Sequence, residues 1–252
     1  MNDAGEDRPV YSLKQFKYNS HYWILNFLSR AKKPSRILDI GAADGYLGEI
    51  LKQQGHFLVG LEADSQLAEK ARAHYHTLHN TDVESFDFPY RGEFDYILLA
   101  DVLEHLRDPC GLLRRVVPCL NRGGEIIVSI PNVAHLFVRL SLMIGRFEYR
   151  DRGIFDRTHL RFFTLASMTR MINDASCRIL ELRPTSVPVQ LVAPSTDKGF
   201  FAPLHELHFL TVTLCKTLLA YQFVVRVVPY ERQGDRTHLF GEREDTRPGG
   251  GR

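Results

Sequence analysis

Residues Arg36 to Asp64 read R-I-L-D-I-G-A-A-D-G-Y-L-G-E-I-L-K-Q-Q-G-H-F-L-V-G-L-E-A-D, and no other stretch of the chain limits its fold as tightly. An apolar run with an acid near its end (Ile37 to Ile40) leads into a glycine turn (Gly41 to Gly45). A helical pattern follows, then a second apolar run ending in Glu62. That order is a β-α-β unit of nucleotide-binding type. Gly41 and Gly45 let the backbone turn with positive φ and approach a ligand closely. Glu62 lies at the end of the second strand, placed to accept two hydrogen bonds from a ribose diol, each worth roughly 1.5–3 kcal/mol because the acceptor is charged. A nucleoside with a free 2′-hydroxyl therefore belongs across this turn.

A dinucleotide site would ask for G-x-G-x-x-G, so that a helix N-terminus faces a pyrophosphate. Here the span is Gly41-Ala42-Ala43-Asp44-Gly45, and Asp44 puts a negative charge where phosphate would approach. A neutral or cationic ligand fits better, such as a sulfonium amino acid. On these residues the chain resembles the class I S-adenosylmethionine-dependent methyltransferases, whose first motif is an acid-x-Gly-x-Gly-x-Gly loop, with Ala43 departing from it at the middle glycine. The resemblance continues through Asp82-Val83 and Phe94 to Pro109. It then takes in a helical stretch from Leu113 to Leu120, the turn Asn121 to Gly124, and the strand Glu125 to Ile130 ending at Pro131-Asn132. It spans about Ile37 to Val187.

The resemblance implies an α/β fold, a Rossmann-like seven-stranded mostly parallel sheet with a C-terminal antiparallel hairpin and helices on both faces. It implies S-adenosyl-L-methionine as cofactor. By the same analogy Asp39 and Gly41 hold the amino-acid end, within a turn completed by Ala42, Asp44 and Gly45. Glu62 and Ala63 meet the ribose, Asp82 and Val83 the adenine, and Ala100, Asp101 and Val102 the methionine side. The plainer reading of Glu62 and Asp82 is a solvated loop acid, and of His105 a side chain that orients its loop by hydrogen bonding.

The 252 residues suit one methyltransferase domain over 31–230 behind an N-terminal helical cap over 1–30. A net charge of +2 supplies no basic field of the kind nucleic acid selects, so no nucleic-acid partner is expected. Cys110, Cys119, Cys177 and Cys215 are scattered, with no metal-ligand spacing, so the expectation is no metal and a reducing compartment. Met1 to Arg8 is polar and acidic, without signal-peptide character. The expected location is cytoplasmic, with the inner face of a membrane as a variant.

The acceptor end is carried by three less regular regions. Tyr11 to Ser29 suits a helix covering the cofactor, where Tyr18, Ser20 and His21 either line the pocket or pack. Segment 132–164 follows the fifth strand, beyond whose carboxyl end ligands of such sheets bind; it forms an acceptor wall. Its D-R-T-H-L-R-F-F-T run resembles one in a bacterial methyltransferase subgroup associated with glycan and natural-product modification. A sugar hydroxyl needs a base to take its proton, and His135 and His159 are the two candidates, His159 being preferred for its flanking Arg157 and Arg161. Segment 188–219 interrupts two closing strands, Arg178 to Arg183 and Tyr221 to Val228, as a helical lid. Its Phe200, Phe201 and Leu204 to Leu218 form, with 133–147, an apolar surface that meets a membrane periphery, makes a homodimer, or simply packs. Lys216, Gln222 and Arg226 exclude a membrane span over Phe209 to Val228, and 231–252 reads as a disordered tail.

The sum is a methyltransferase acting on an oxygen of a small-molecule, glycan or lipid-linked acceptor. The alternatives are transfer to nitrogen or carbon with the same cofactor, and a non-catalytic cofactor-binding scaffold.

Overall fold

Alternation along each strand builds the molecule from the centre outwards. In β1 (Arg36–Ile40), Leu38 and Ile40 enter one buried cluster while Ile37 enters another. β2 (Phe57–Glu62) divides Val59 and Leu61 from Leu58 in the same way, and β4 (Phe94–Ala100) divides Ile97 and Leu99 from Leu98. A strand buried on both faces is largely apolar, which is why these runs are near-continuous; the buried acid in β1, Asp39, is held by a hydrogen bond from Tyr75. With β3 (Thr77–Asn80), β5 (Leu120–Pro131), β6 (Cys177–Pro184) and β7 (Gln222–Pro229) they form one sheet in the order β3-β2-β1-β4-β5-β7-β6. The first five strands pair in parallel, and β7 runs antiparallel to both β5 and β6. The expected seven-stranded Rossmann-like sheet with its terminal hairpin is the observed one.

The computed structural model describes residues 19–31, 34–187 and 202–230. Expectations for Tyr18, Phe200, Phe201 and the tail 231–252 fall outside these residues. One face of the sheet carries α1 (Ser20–Ser29), α2 (Tyr46–Gln53) and α3 (Ser65–Ala71), whose Ile24, Leu28, Leu51 and Ala71 join one cluster. The other cluster takes Leu112, Leu113 and Val116 of α4 (Pro109–Val116) with Met168 and Ile172 of α6 (Leu165–Asp174). Between these last two helices lies α5 (Leu136–Met143), and α7 (Ala202–Leu214) and α8 (Lys216–Leu219) precede β7.

Local chemistry explains where two elements differ from expectation. Asp108 caps α4 by accepting from the Gly111 N–H at 2.8 Å, and Pro109 supplies the first helical residue, so the helix starts before Leu113 and ends before Pro118. The turn Asn121 to Gly124 is absorbed as an irregularity within β5, whose partners on β4 step from Leu120 to Glu125 between Phe94 and Tyr96. In the segment expected to form a lid, Val212 of α7 is fully buried in the main core and Phe209 lies 5.9 Å from the ring of Trp23 in α1, and none of its described residues lines the active cavity.

Tyr75 is the wedge beneath the first β-α-β unit. Its ring fills the space left by two glycines: a Cβ on Gly48 or Gly60 would come within 2.5 Å of the Tyr75 ring or of Leu78 respectively. Its hydroxyl donates to Asp39 Oδ2 at 2.6 Å. Burial pushes the Asp39 carboxyl up to about 6, with the Tyr75 bond opposing the shift and Glu62 adding to it. An acid with a higher pKa folded than unfolded holds its proton more tightly in the folded chain, so stability falls as pH rises from about 4 to about 6. The expected contribution of Asp39 is about 3 kcal/mol across that range. Urea unfolding at intervals of pH should show a shallower decline for Asp39→Asn than for the native chain; parallel declines would contradict the assignment.

Candidate active site

The strand order reverses between β1 and β4, and ligands of such sheets bind at that reversal, beyond the carboxyl ends of the strands. A cavity of about 690 Å³ lies there, floored by Ile40 and Gly41 after β1, Glu62 after β2, Ala100 and Asp101 after β4, and Pro131 of β5. Gly41 has φ +79°, and a Cβ on it would stand 2.7 Å from Val102 Cγ2, so only glycine leaves this wall open. Ala43 also lies in the left-handed region, with φ +49°, where the family pattern has glycine. That geometry costs on the order of 1 kcal/mol for alanine. Glu62 holds it in place: Oε2 accepts from the Ala43 N–H at 2.8 Å and Oε1 from the Asp64 N–H at 2.9 Å. Burial raises the Glu62 carboxyl and these backbone bonds pull it back down.

At this end of the cavity Ala63, Asp82 and Val83 continue the wall, with Asp82 Oδ1 accepting from the Glu84 N–H at 2.9 Å. His21 of α1 closes over the top, its Nε2 2.8 Å from the Tyr46 hydroxyl. Ser20 is buried away from the cavity. Asp39, Ala42, Asp44 and Gly45 do not line it. Asp39 is engaged by Tyr75 below the floor, and Asp44 stands at the start of α2 with Oδ1 shut from solvent and unpartnered.

The far end is built from segments distant in sequence. Asp101, another left-handed residue at φ +56°, has Oδ1 fixed by the Ser129 hydroxyl and by Gln222 Nε2 at 3.0 Å. The D-R-T-H-L-R segment is tied to the loop after β4, because the Leu160 and Arg161 N–H groups donate to the Glu104 carbonyl at 2.8 and 2.9 Å. This brings His159 into the cavity wall beside Glu104, His105, Asp156 and Thr158. His159 Nδ1 lies 3.2 Å from the Ile154 carbonyl, an acceptor only, so Nδ1 carries the proton and Nε2 keeps its lone pair. Burial, and then the neighbouring His105, lower the His159 pKa.

Glu104 is the residue that sequence reasoning passed over. Its side chain is 2% exposed, its Oε1 lies 4.0 Å from His159 Nε2, and neither carboxyl oxygen has a hydrogen-bond partner. Burial pushes its pKa well above the carboxylate range, with Asp101 adding to the shift. The signal was present in L-E-H-L, but nothing local says that the acid turns inward. One donor atom from each of Glu104, His105 and His159 falls within 4.8 Å of the others, one carboxylate and two imidazoles.

His135 has a different place. It caps α5, Nδ1 accepting from the Phe137 N–H at 3.2 Å, and it does not line the cavity. The arginines that flank His159 also turn away: Arg157 pairs with Asp151 at 2.6 Å and Arg161 donates to the Arg107 carbonyl at 2.7 Å. The cation that lines the wall is Arg152.

A reversed-order parallel sheet, a left-handed glycine turn and a buried acid closing β2 define a class I S-adenosylmethionine-dependent methyltransferase. The cavity is large enough for that cofactor, and its strand-end carboxylates suit a diol and a sulfonium charge. The model of a family described as a methyltransferase domain matches residues 15–182, and the chain belongs to that family. It is 26% identical over 192 residues to a ubiquinone biosynthesis O-methyltransferase of Aromatoleum aromaticum, across 71% of this chain and 77% of that protein. It is 28% identical over 218 residues to one of Parvibaculum lavamentivorans, across 77% and 80%. In fold it is similar to magnesium protoporphyrin IX methyltransferase from Synechocystis PCC 6803 with bound SAH, with a TM-score of 0.57, 14% identity and coverage of 82% and 81%. A methyltransferase from Mesorhizobium loti gives a TM-score of 0.55 at 14% identity, covering 83% of this chain and 97% of that one. At that identity the likeness is one of fold.

Proposed function

We propose that the chain methylates a hydroxyl oxygen of a small-molecule acceptor, of glycan or lipid-linked type, with His159 receiving the hydroxyl proton. The observation that carries this reading is the His159 imidazole in the cavity wall: its Nδ1 is committed to the Ile154 carbonyl, which leaves Nε2 as the basic nitrogen of the ring. That both relatives are ubiquinone biosynthesis O-methyltransferases supports oxygen as the nucleophile. Bound S-adenosylmethionine supplies a methyl group on a positively charged sulfur. Gly41 leaves room for its amino-acid end, Glu62 accepts from the ribose, and Asp82 with Val83 flanks the adenine.

The acceptor lies against Asp101, Glu104 and Tyr221. Holding reactants in line supplies on the order of 7–11 kcal/mol of barrier lowering in well-aligned systems. A sugar or phenol hydroxyl also loses a proton, and His159 Nε2 takes it. The imidazolium so formed stands 4.0 Å from the buried Glu104 carboxyl.

The test is a transfer assay with purified chain, S-adenosylmethionine and a panel of hydroxylated and amine acceptors, with products resolved by mass spectrometry. O-methylated product is the expected outcome. Methylation only of amines would move the reading to an N-methyltransferase, and cofactor binding with no transfer to any acceptor would favour the scaffold.

A further inference from the structure

We propose that α5 and the loop after it form a docking surface for an anionic phospholipid bilayer. Of the eight residues of α5 only Val138 is buried. Leu140, Leu142 and Met143 present apolar side chains to solvent, and Ile144, Phe147 and Tyr149 of the loop continue the patch; Met143 is 80% exposed and Ile144 67%. Soluble proteins rarely leave so continuous an apolar patch uncovered without a function for it.

The loop is held in shape. Phe147 packs edge-on against Tyr149 and Phe155 at 5.5 and 4.7 Å, and Val138, Ile154 and Phe155 bury together against Val133 and Tyr221. The patch opens on a cavity of about 380 Å³ walled by Phe137, Leu140, Ile144 and Phe155, with Arg146, Arg150 and one acid, Glu148, among its lining residues. Such a cavity, with guanidinium groups beside apolar walls, accepts the upper part of an acyl chain below an anionic headgroup.

Charge selects the occupant. Arg139, Arg146, Arg150 and Arg152 are exposed across this segment, and none of them forms an ion pair among the described residues. Its surface acids are Glu148 and Asp151, and Asp151 is already paired with Arg157 at 2.6 Å. Apolar side chains interleaved with arginines that form no ion pair among the described residues suit the boundary between acyl chains and acidic headgroups. A second copy of this chain would bring the same positive charge to the contact. No described helix is long and apolar enough to cross a membrane, so the contact is peripheral.

Arg150 and Phe155 line the lipid cavity, while Arg152 and Gly153, between them in sequence, line the active cavity. The docked bilayer would therefore lie beside the acceptor entrance. Docking itself stands independently of which acceptor is methylated.

The experiment is co-sedimentation of the full chain with vesicles of phosphatidylcholine alone and of phosphatidylcholine mixed with phosphatidylglycerol, at low and high salt. Binding is expected to the mixed vesicles only, weakening with salt. Replacing Arg146 and Arg150 by Gln should lower partitioning by roughly 25-fold, about fivefold for each arginine. The double substitution Met143→Asp and Ile144→Asp should abolish binding while S-adenosylhomocysteine affinity, measured in parallel, stays native and shows the fold intact. Failure to bind either vesicle, or equal binding by native and Asp-substituted chains, overturns the proposal. Dimerisation in light scattering that the Asp substitutions abolish, without vesicle binding, overturns it in favour of a second copy.

Discussion

Glu62→Ala is expected to weaken S-adenosylhomocysteine binding by a factor on the order of 10²–10⁴ in calorimetric titration, while the chain stays folded. Each Glu62 oxygen already accepts one backbone N–H, from Ala43 or Asp64, and retains lone-pair capacity on the cavity side. Two further bonds to a ribose diol, at roughly 1.5–3 kcal/mol each, give that factor. The substitution also removes the clamp on Ala43, whose left-handed backbone is then free to relax and narrow the turn. Glu62→Gln separates the two effects, since its carbonyl oxygen preserves one of the acceptor positions and its loss should be smaller. Native affinity in both variants would show that Glu62 serves only to brace the loop.

The cofactor half of the site was legible because its parts are local. Gly41, the turn and Glu62 lie within one β-α-β unit, where strand alternation and a single positive-φ requirement determine what faces the ligand. The role of Asp39 was less legible. Its partner Tyr75 is 36 residues away, and the glycines that admit the Tyr75 ring lie on α2 and β2. The acceptor half depends on longer reaches still. Leu160 and Arg161 meet the Glu104 carbonyl, and Gln222 meets Asp101 across 121 residues. No periodicity records such contacts. The flanking arginines drew attention to His159 for a reason the fold does not use, since both guanidinium groups lie outside the cavity wall.

His135 and His159 are equivalent as residue types, and their surroundings separate them. His159→Gln is expected to lower kcat by roughly 10²–10⁴-fold, the usual worth of a positioned base, with S-adenosylhomocysteine affinity unchanged because the ring stands at the acceptor end. Burial and His105 lower the His159 pKa, so its basic form persists below the ordinary histidine value near 6.5. The acid limb of the native rate profile should accordingly fall below that value and be absent from the variant. His135→Gln should leave the rate profile intact and cost about 1 kcal/mol of stability, since the side chain it replaces caps α5. A rate loss confined to His135→Gln would overturn the assignment of the base. Sustained turnover of an amine in both variants would point instead to nitrogen, because a neutral amine attacks without first giving up a proton, and His159 would then be a wall of the acceptor site rather than its base.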